Sequence, residues 1–307
     1  MKFLLLLLFV LPARADMRRF TFERGLMGTR FAITTYAEDE SKAKAATDEA
    51  FAKGEEINAV ASDYIADSEL LHLSQVPAGQ ATVVSPLLFD IILKARHAAE
   101  VTDGRFDPTI GTLTKLWRES RRTLKLPASD VLAKARAACD WHALTLDPAT
   151  HSVTLEKPGM RLDLGGIAKG YAADRLFEIM TKYGFPRSCV AAGGDLRLGD
   201  PPPGQTGWKV GLRTFDKDTT SGEITVSNCG VSTSGDLQQF VEIDGKRYSH
   251  IIDPATGLGL TNHIAVTIVA KDATTSDSFD NSACVVGAEH AVEVAKSWGA
   301  TDVRVAK

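Results

Sequence analysis

The 307-residue sequence lacks several features that would place it in a familiar class of protein. It has 35 Lys and Arg against 39 Asp and Glu, and this formal charge of −4 argues against general binding of nucleic acid, which needs a basic face. Its unbroken apolar run from Phe3 to Leu11 is nine residues long, whereas a membrane-spanning helix needs about 20. No compositional bias indicates disorder, collagen or a coiled coil.

Cysteine is scarce, with four residues spaced too far apart to form any C-x-x-C motif. This spacing excludes zinc-ribbon and thioredoxin-type sites. The residues Cys139, Cys189, Cys229 and Cys284 stand among apolar neighbours, which favours small buried hydrophobic side chains. An even number of cysteines in an oxidising compartment would also permit disulfides.

Four common catalytic motifs are absent as well. The sequence has no G-x-G-x-x-G, no G-x-x-x-x-G-K-[ST], no G-x-S-x-G and no H-E-x-x-H. Rossmann, P-loop, hydrolase-elbow and zincin interpretations therefore have no support.

The first fifteen residues are typical of a signal peptide. Lys2 supplies a positive charge, the apolar run follows, and Ala13-Arg14-Ala15 is an A-x-A cleavage site. An uncleaved membrane anchor is the alternative interpretation. Since no cysteine lies near the cleavage site, lipid anchoring through a lipobox is excluded. We expect a soluble periplasmic or secreted protein of residues 16–307, with a net charge of −6 once Lys2 and Arg14 are removed.

The order of predicted elements favours an α+β fold. Strand patterns lie at residues 31–36, 188–192, 208–213, 223–226, 240–243 and 263–269, and helix patterns at 40–60, 86–104, 166–183 and 276–298. Turn sequences at 147–150 and 244–245 predict two hairpins. Strands and helices cluster and do not strictly alternate, which disfavours a doubly wound parallel sheet. We expect a single large domain of two intimate lobes.

Three polar segments are hard to explain by packing. Asp163-Leu164-Gly165-Gly166 joins a predicted strand to a helix whose N-terminus favours a phosphate, and Lys169 can reach the same anion. Gly193-Gly194-Asp195 follows a buried strand, and Ser232-Thr233-Ser234-Gly235 is predicted to be a hydroxyl-rich turn. Each could be an ordinary loop, but three in one chain indicate a ligand that carries phosphate.

Metal binding is indicated by Asp277 and Asn281, which are four residues apart and so lie on one face of a helix. Their side-chain oxygens suit Mg²⁺, which commonly bridges substrate phosphates. A solvated helix face is the alternative interpretation. His250, beside Asp253-Pro254, is the one histidine of seven that stands among such polar turns.

Taken together, these motifs resemble the ApbE family of FAD:protein FMN transferases. The resemblance covers eight segments in order: GLMGTRF (25–31), SDYIADSELLHLS (62–74), FDPTIGTLTKLW (106–117), RLDLGGIAKGYAADR (161–175), AAGGDLRLG (191–199), VSTSGD (231–236), YSHIIDPATG (248–257) and SDSFDNSACVVG (276–287). Single segments are weak signals, but eight in the right order are very specific.

The resemblance implies a role for each matching residue. Met27 would pack on the flavin, and the remaining FAD-binding positions would be Tyr64, Trp117, Asp163, Lys169, Gly193, Gly194, Asp195, Ser232, Thr233 and Ser234. His250 matches a histidine that assists catalysis. Asp277 matches an Mg²⁺ ligand, and a backbone carbonyl of the Gly165–Gly166 turn would complete the metal site. Asn281 departs from the family, which usually has Thr or Ser there, although the Asn side-chain oxygen can still bind Mg²⁺.

The implied reaction moves the FMN part of FAD onto a Thr or Ser hydroxyl of another protein and releases AMP. The implied acceptors are extracytoplasmic domains of Rnf-type complexes, of sodium-pumping NADH:quinone oxidoreductases, or of the flavoprotein that serves nitrous-oxide reductase. Two alternatives remain open: an FAD pyrophosphatase, in which water replaces the acceptor hydroxyl, and a non-catalytic flavin carrier.

Overall fold

A computed structural model describes residues 17–213, 220–236 and 239–306, so the expected signal peptide lies outside the described residues. The strands are β1 (Arg18–Leu26), β2 (Thr29–Ala37), β3 (Thr82–Val83), β4 (Leu144–Asp147), β5 (Ser152–Leu155), β6 (Ser188–Ala192), β7 (Asp195–Leu198), β8 (Trp208–Arg213), β9 (Thr220–Val226), β10 (Cys229–Gly235), β11 (Phe240–Ile243), β12 (Lys246–Ser249), β13 (Ala265–Ala270) and β14 (Asp302–Ala306). The helices are α1 (Glu40–Ala61), α2 (Glu69–Leu73), α3 (Pro86–Val101), α4 (Gly111–Thr123), α5 (Ser129–Ala137), α6 (Ala168–Lys182), α7 (Ala273–Val286) and α8 (Ala291–Ser297).

A seven-stranded sheet forms the centre of the molecule, in the order β1-β2-β6-β7-β10-β13-β14. Every neighbouring pair in it is antiparallel. Strand β13 has the sequence AVTIVA and is buried along its whole length, because neighbouring strands and α7 cover it. Helix α6 packs against α1, α7 and β6, which brings the helix after the Gly165–Gly166 turn next to α7.

Smaller elements complete the fold around this sheet. Three short sheets pair β3-β5-β4, β8-β9 and β11-β12. Helix α4, α5 and the β11-β12 hairpin share a second, smaller core that includes Leu113, Trp117, Val241 and Tyr248. The α+β fold expected from the sequence is therefore confirmed, as are both predicted hairpins. In the part of the chain that the structure describes, we find no helix with the length and apolar character to cross a membrane.

Three predicted elements are wrong. The segment before Asp163, expected to be a strand, makes only a single bridge from Arg161 to Ile110. The single helix expected over residues 276–298 is two helices, because the chain leaves the helix at Gly287, whose φ of +90° favours glycine. The turn expected at Ser232–Gly235 is the end of strand β10, which pairs with β13 from Gly230 to Gly235. This pairing joins segments about 35 residues apart, and local turn chemistry cannot indicate it.

The four cysteines are unpaired in the structure. Cys229 and Cys284 are buried, as expected for small hydrophobic side chains, while Cys139 and Cys189 are partly buried. Burial raises the pKa of the Cys189 thiol to about 12 and that of Cys229 to about 11. These thiols are therefore protonated and poor nucleophiles at neutral pH.

Candidate functional site

Three buried carboxylates meet between the central sheet and α7. Asp195 begins β7 directly after the glycine hairpin turn, whereas Asp277 and Asp280 lie three residues apart on α7. Each is at most 2% exposed, and each has a carboxylate oxygen within 4.8 Å of the other two. We call these three residues the acid cluster. Such a grouping of hard oxygen atoms can hold a metal ion.

Lys169 joins two members of the acid cluster. Its ammonium group donates to a carboxylate oxygen of Asp195 and to Asp277 Oδ1, the latter at 3.2 Å. The backbone N–H of Gly170 donates to Asp277 Oδ2 at 2.8 Å. A Cβ atom on Gly170 would lie 2.1 Å from the carbonyl oxygen of Ala273, so only glycine lets α6 and α7 approach this closely.

The acid cluster carries more negative charge than its surroundings balance. Three carboxylates face the single ammonium of Lys169, which leaves an excess of two negative charges when all are ionised. Burial and the charge of Asp195 raise the pKa of Asp277 to about 6, and burial with the charge of Asp277 raises the pKa of Asp280 well above its ordinary value. Burial by itself lowers the pKa of the Lys169 ammonium, but the negative charges of Asp195 and Asp277 raise this pKa above its ordinary value. A divalent cation fits this set of donors because it would cancel the excess charge.

Asn281 lies beside the acid cluster, one turn beyond Asp277 on α7. Its Oδ1 accepts a hydrogen bond of 2.8 Å from Ser234 Oγ. Its Nδ2 is 3.4 Å from the position that a Cβ atom on Gly166 would occupy, so the Gly165–Gly166 turn is adjacent. The structure thus brings together Asp277, Asn281 and Gly166, the three positions expected to bind Mg²⁺.

The hydroxyl groups of β10 bond to neighbouring elements. Ser232 is fully buried, and its Oγ shares a 2.8 Å hydrogen bond with Ser276 Oγ on α7. Thr233 Oγ1 shares a hydrogen bond of the same length with Thr267 Oγ1 on β13. Ser232 therefore ties the sheet to α7, Thr233 ties two strands of the sheet together, and the expected contact of both with FAD stays a prediction.

Two hairpin turns come together at one end of the sheet. Met27 lies in the β1–β2 turn with a φ of +49°, and Gly193 lies in the β6–β7 turn with a φ of +67°. The N–H of Gly193 donates to the carbonyl of Arg30 at 3.0 Å. Because Gly194 and Asp195 follow directly, this end of the sheet leads into the acid cluster. Gly193 and Gly194 thus lead directly into the acid cluster, and Met27 lies in the neighbouring hairpin turn.

Tyr64 and Asp163 lie beside the ion pair between Asp63 and Arg118. The Tyr64 ring is 77% exposed, and the guanidinium of Arg118 lies 3.9 Å from its centre. Arg118 also pairs with Asp63, whose pKa is raised by burial and by the charge of Asp163. Asp163 Oδ1 accepts a 2.8 Å hydrogen bond from Gly165 N–H and so shapes the turn before α6.

Trp117 is buried behind the histidine segment. It is 3% exposed, and its indole N–H donates to the carbonyl of Ser249 at 3.1 Å. Its ring meets the edge of Tyr248 with centres 5.5 Å apart. Trp117 therefore supports the segment that carries His250, and its predicted contact with the flavin is not tested by this arrangement.

His250 follows β12 and is half-buried. Its Nδ1 lies 3.2 Å from the carbonyl oxygen of Gln239. Burial lowers the pKa of His250 to about 4, and the positive charges of Arg121 and Lys169 act in the same direction. The imidazole is therefore neutral at pH 7. If Nδ1 donates to the carbonyl, Nε2 keeps a lone pair that can accept a proton.

Comparison with known proteins identifies the family. The sequence model of the ApbE family matches residues 27–305. The chain belongs to the ApbE family. It is 30% identical to the FAD:protein FMN transferase of Treponema pallidum, over 94% of this chain and 84% of that protein. An ApbE protein from Thermotoga maritima matches with a TM-score of 0.85 and 29% identity, over 92% of this chain and 93% of that chain. The flavin transferase ApbE from Vibrio cholerae matches with a TM-score of 0.82 and 27% identity, over 94% and 93%.

Two residues of this ApbE-family protein were missed as site residues by the sequence analysis. Asp280 belongs to the acid cluster, and its spacing of three from Asp277 on a helix was the available signal. Asp174 on α6 accepts hydrogen bonds from the N–H groups of Ala273 (3.0 Å) and Thr274 (2.8 Å), which fixes the first turn of α7. Asp174 thereby sets the position of Asp277 and Asp280.

Proposed function

We propose that this protein is a magnesium-dependent FAD:protein FMN transferase. It would move the FMN part of FAD onto a Thr or Ser hydroxyl of an acceptor protein and release AMP. Membership of the ApbE family and the names of its relatives support the transferase activity. The observation that carries the proposal is the buried acid cluster. Lys169 bridges two of its three carboxylates, and without a cation an excess of two negative charges remains when all are ionised.

In the proposed reaction, the acceptor hydroxyl oxygen attacks the FMN-side phosphorus of FAD. A new P–O bond forms, the bond to the bridging diphosphate oxygen breaks, and AMP takes the electron pair. His250 accepts the hydroxyl proton at Nε2, since Gln239 holds its Nδ1. General-base catalysis of this kind contributes roughly 10²–10⁴-fold. The low pKa of the free imidazole keeps it unprotonated and ready to accept the proton at pH 7.

Mg²⁺ would be held by Asp277, by Asn281 Oδ1 and by a backbone carbonyl of Gly166, with Asp195 and Asp280 adding negative charge nearby. When bound, the ion supplies positive charge that neutralises the diphosphate. Ser234 orients the Asn281 side chain through its hydrogen bond to Oδ1. Lys169 keeps the carboxylates of Asp195 and Asp277 together and presents its own charge toward the site.

FAD would lie across the ends of the two hairpins and the turn before α6. We propose that Met27 and Tyr64 contact its rings, while Asp163, Lys169, Gly193, Gly194 and Asp195 hold its polar groups. The two hairpins adjoin each other at this end of the sheet, since a Cβ atom on Gly193 would lie 3.0 Å from Thr29 Oγ1. Ser232, Thr233 and Trp117 would act from behind this surface.

The acceptor would be an extracytoplasmic flavoprotein domain, reached after cleavage of the signal peptide. We propose the Rnf-type complexes, the sodium-pumping NADH:quinone oxidoreductases and the flavoprotein of nitrous-oxide reductase as the classes to test. Residues 16–307 should be incubated with FAD, Mg²⁺ and candidate acceptor domains, then denatured and separated on a gel. A fluorescent acceptor band that EDTA abolishes is expected.

The other outcomes of this experiment would identify a different function or a different role for the metal. A dark gel with FMN and AMP in solution would identify an FAD pyrophosphatase instead. A dark gel with intact FAD for every candidate acceptor would favour a flavin carrier. A band that persists in EDTA would contradict the role of the metal but not the transfer.

A further inference from the structure

Helix α4 carries positive charge to the edge of the candidate site. Trp117 anchors the helix by its hydrogen bond to the Ser249 carbonyl, next to His250. Arg121 lies one helical turn further along the same face, and its charge lowers the pKa of His250. Arg121 is exposed and has no ion-pair partner among the described residues. This cation therefore borders the segment where the acceptor hydroxyl must arrive.

The positive charge extends from Arg121 toward Tyr64. Lys115, Arg118 and Arg161 line a cavity of about 190 Å³ together with Asp63. Arg118 pairs with Asp63, whereas neither Lys115 nor Arg161 has an ion-pair partner in the described part of the chain. With Asp163 counted beside Asp63, three cations face two carboxylates, and Arg121 adds a further cation one turn along α4 from Trp117. This local excess of positive charge stands out in a chain whose net charge is −4.

Exposed apolar side chains flank these cations. Leu124 at the end of α4 is 59% exposed, and Ile65 is 37% exposed. Arg side chains are enriched among the residues that carry most of the binding energy at protein interfaces. Exposed apolar residues beside unpaired cations are therefore typical of a surface that meets a protein partner.

We propose that the α4 surface, formed by Lys115, Arg118, Arg121 and Arg161, docks the acceptor protein through acidic side chains near its target hydroxyl. This inference rests on the proposed transferase function. From Lys115 to Arg121 the helix rises about 9 Å, so these cations are spread over more length than a single phosphate group occupies. Complementary charge at such a surface speeds encounter and orients the partner.

Charge reversal tests this docking surface. We would compare Arg121→Glu and Lys115→Glu with Lys42→Glu, an equal change of charge at the exposed first turn of α1. The initial rate of acceptor flavinylation would be measured at saturating FAD, against acceptor concentration and salt. At low salt, both α4 variants should lower kcat/KM for the acceptor by about tenfold or more. The effect should lie in the acceptor KM, with the KM for FAD unchanged in both variants and kcat unchanged in Lys115→Glu, and should shrink as salt is added.

The control variant should behave like the wild type, and reversal of acidic residues near the acceptor hydroxyl should restore the rate of Arg121→Glu. Equal acceptor KM values for Arg121→Glu, Lys115→Glu and Lys42→Glu would overturn the inference. A raised KM for FAD would assign the cations to FAD binding and also overturn it. Unchanged transfer with lost binding to anionic lipid vesicles would assign the surface to a membrane. A wild-type protein that transfers no FMN to any acceptor would refute the proposed function, and the docking role with it.

Discussion

When divalent cations are removed, the free energy of unfolding of the protein should fall as pH rises from about 4 to 7. Burial and the charge of Asp195 raise the pKa of Asp277 from 3.8 to about 6. Between these values the folded state holds a proton that the unfolded chain has lost, so the free energy of unfolding falls as pH rises through this window. The full difference is about 3 kcal/mol, reached near pH 7.

Urea unfolding at pH 4.5 to 7.5, with EDTA or with saturating Mg²⁺, measures this contribution. In EDTA, the wild-type protein should lose about 2 kcal/mol between pH 4.5 and 7.5 relative to Asp277→Asn, which has nearly the same shape but cannot titrate. With Mg²⁺ the loss should be offset, because the bound cation stabilises the ionised carboxylate. The reasoning is refuted if wild type and Asp277→Asn show the same pH dependence in EDTA.

Three further predictions concern single side chains. His250→Ala should lower the rate of FMN transfer by roughly 10²–10⁴-fold with little change in FAD affinity, as measured by single-turnover kinetics and equilibrium binding. Trp117→Phe removes the donor to the buried Ser249 carbonyl and should lower the free energy of unfolding by about 1–3 kcal/mol. Calorimetric FAD titration of this variant would show an unchanged Kd if Trp117 only supports the histidine segment. Asn281→Thr should leave the transfer rate within a few-fold of the wild type, since the Asn oxygen already serves as a ligand.

Each of these variants has an outcome that would contradict its prediction. Equal transfer rates for wild type and His250→Ala would remove the histidine from the mechanism. Gln substitution at the exposed His97 controls for the loss of a histidine elsewhere on the protein. Unaltered stability of Trp117→Phe would mean that the indole hydrogen bond is replaced. A sharp rise in activity of Asn281→Thr would indicate that the natural protein is a carrier with a weakened metal site.

Most strands and helices could be predicted from local pattern. Ser188–Ala192 and Phe240–Ile243 have the bounds expected from their sequences, since apolar runs and flanking turn residues mark them. Helix α3 begins at Pro86 after the Ser85 cap, as the Ser-Pro pair predicts. Asp244-Gly245 forms the tight hairpin that its sequence favours, with Asp244 at a φ of +50°.

Features that depend on distant pairing could not be predicted. Strand β10 has turn-like residues, but it is held by β7 on one side and β13 on the other. Lys169 was expected to face a phosphate, and in the structure it bridges Asp195, which lies 26 residues away in the sequence, and Asp277, which lies 108 residues away. Asp280 could have been found from its spacing of three from Asp277 on one helix, whereas the role of Asp174 follows from the packing of α6 on α7, which sequence spacing does not reveal.

The metal dependence of FMN transfer tests the central claim most directly. We would measure covalent flavin on the acceptor for wild type, Asp277→Ala and Asp147→Ala, the last being an exposed aspartate outside the acid cluster, while FAD binding is measured separately. Magnesium should be required by wild type and Asp147→Ala, and Asp277→Ala should transfer no FMN although it still binds some FAD. Full transfer by Asp277→Ala at the wild-type magnesium concentration would contradict the assignment of the acid cluster as the metal site.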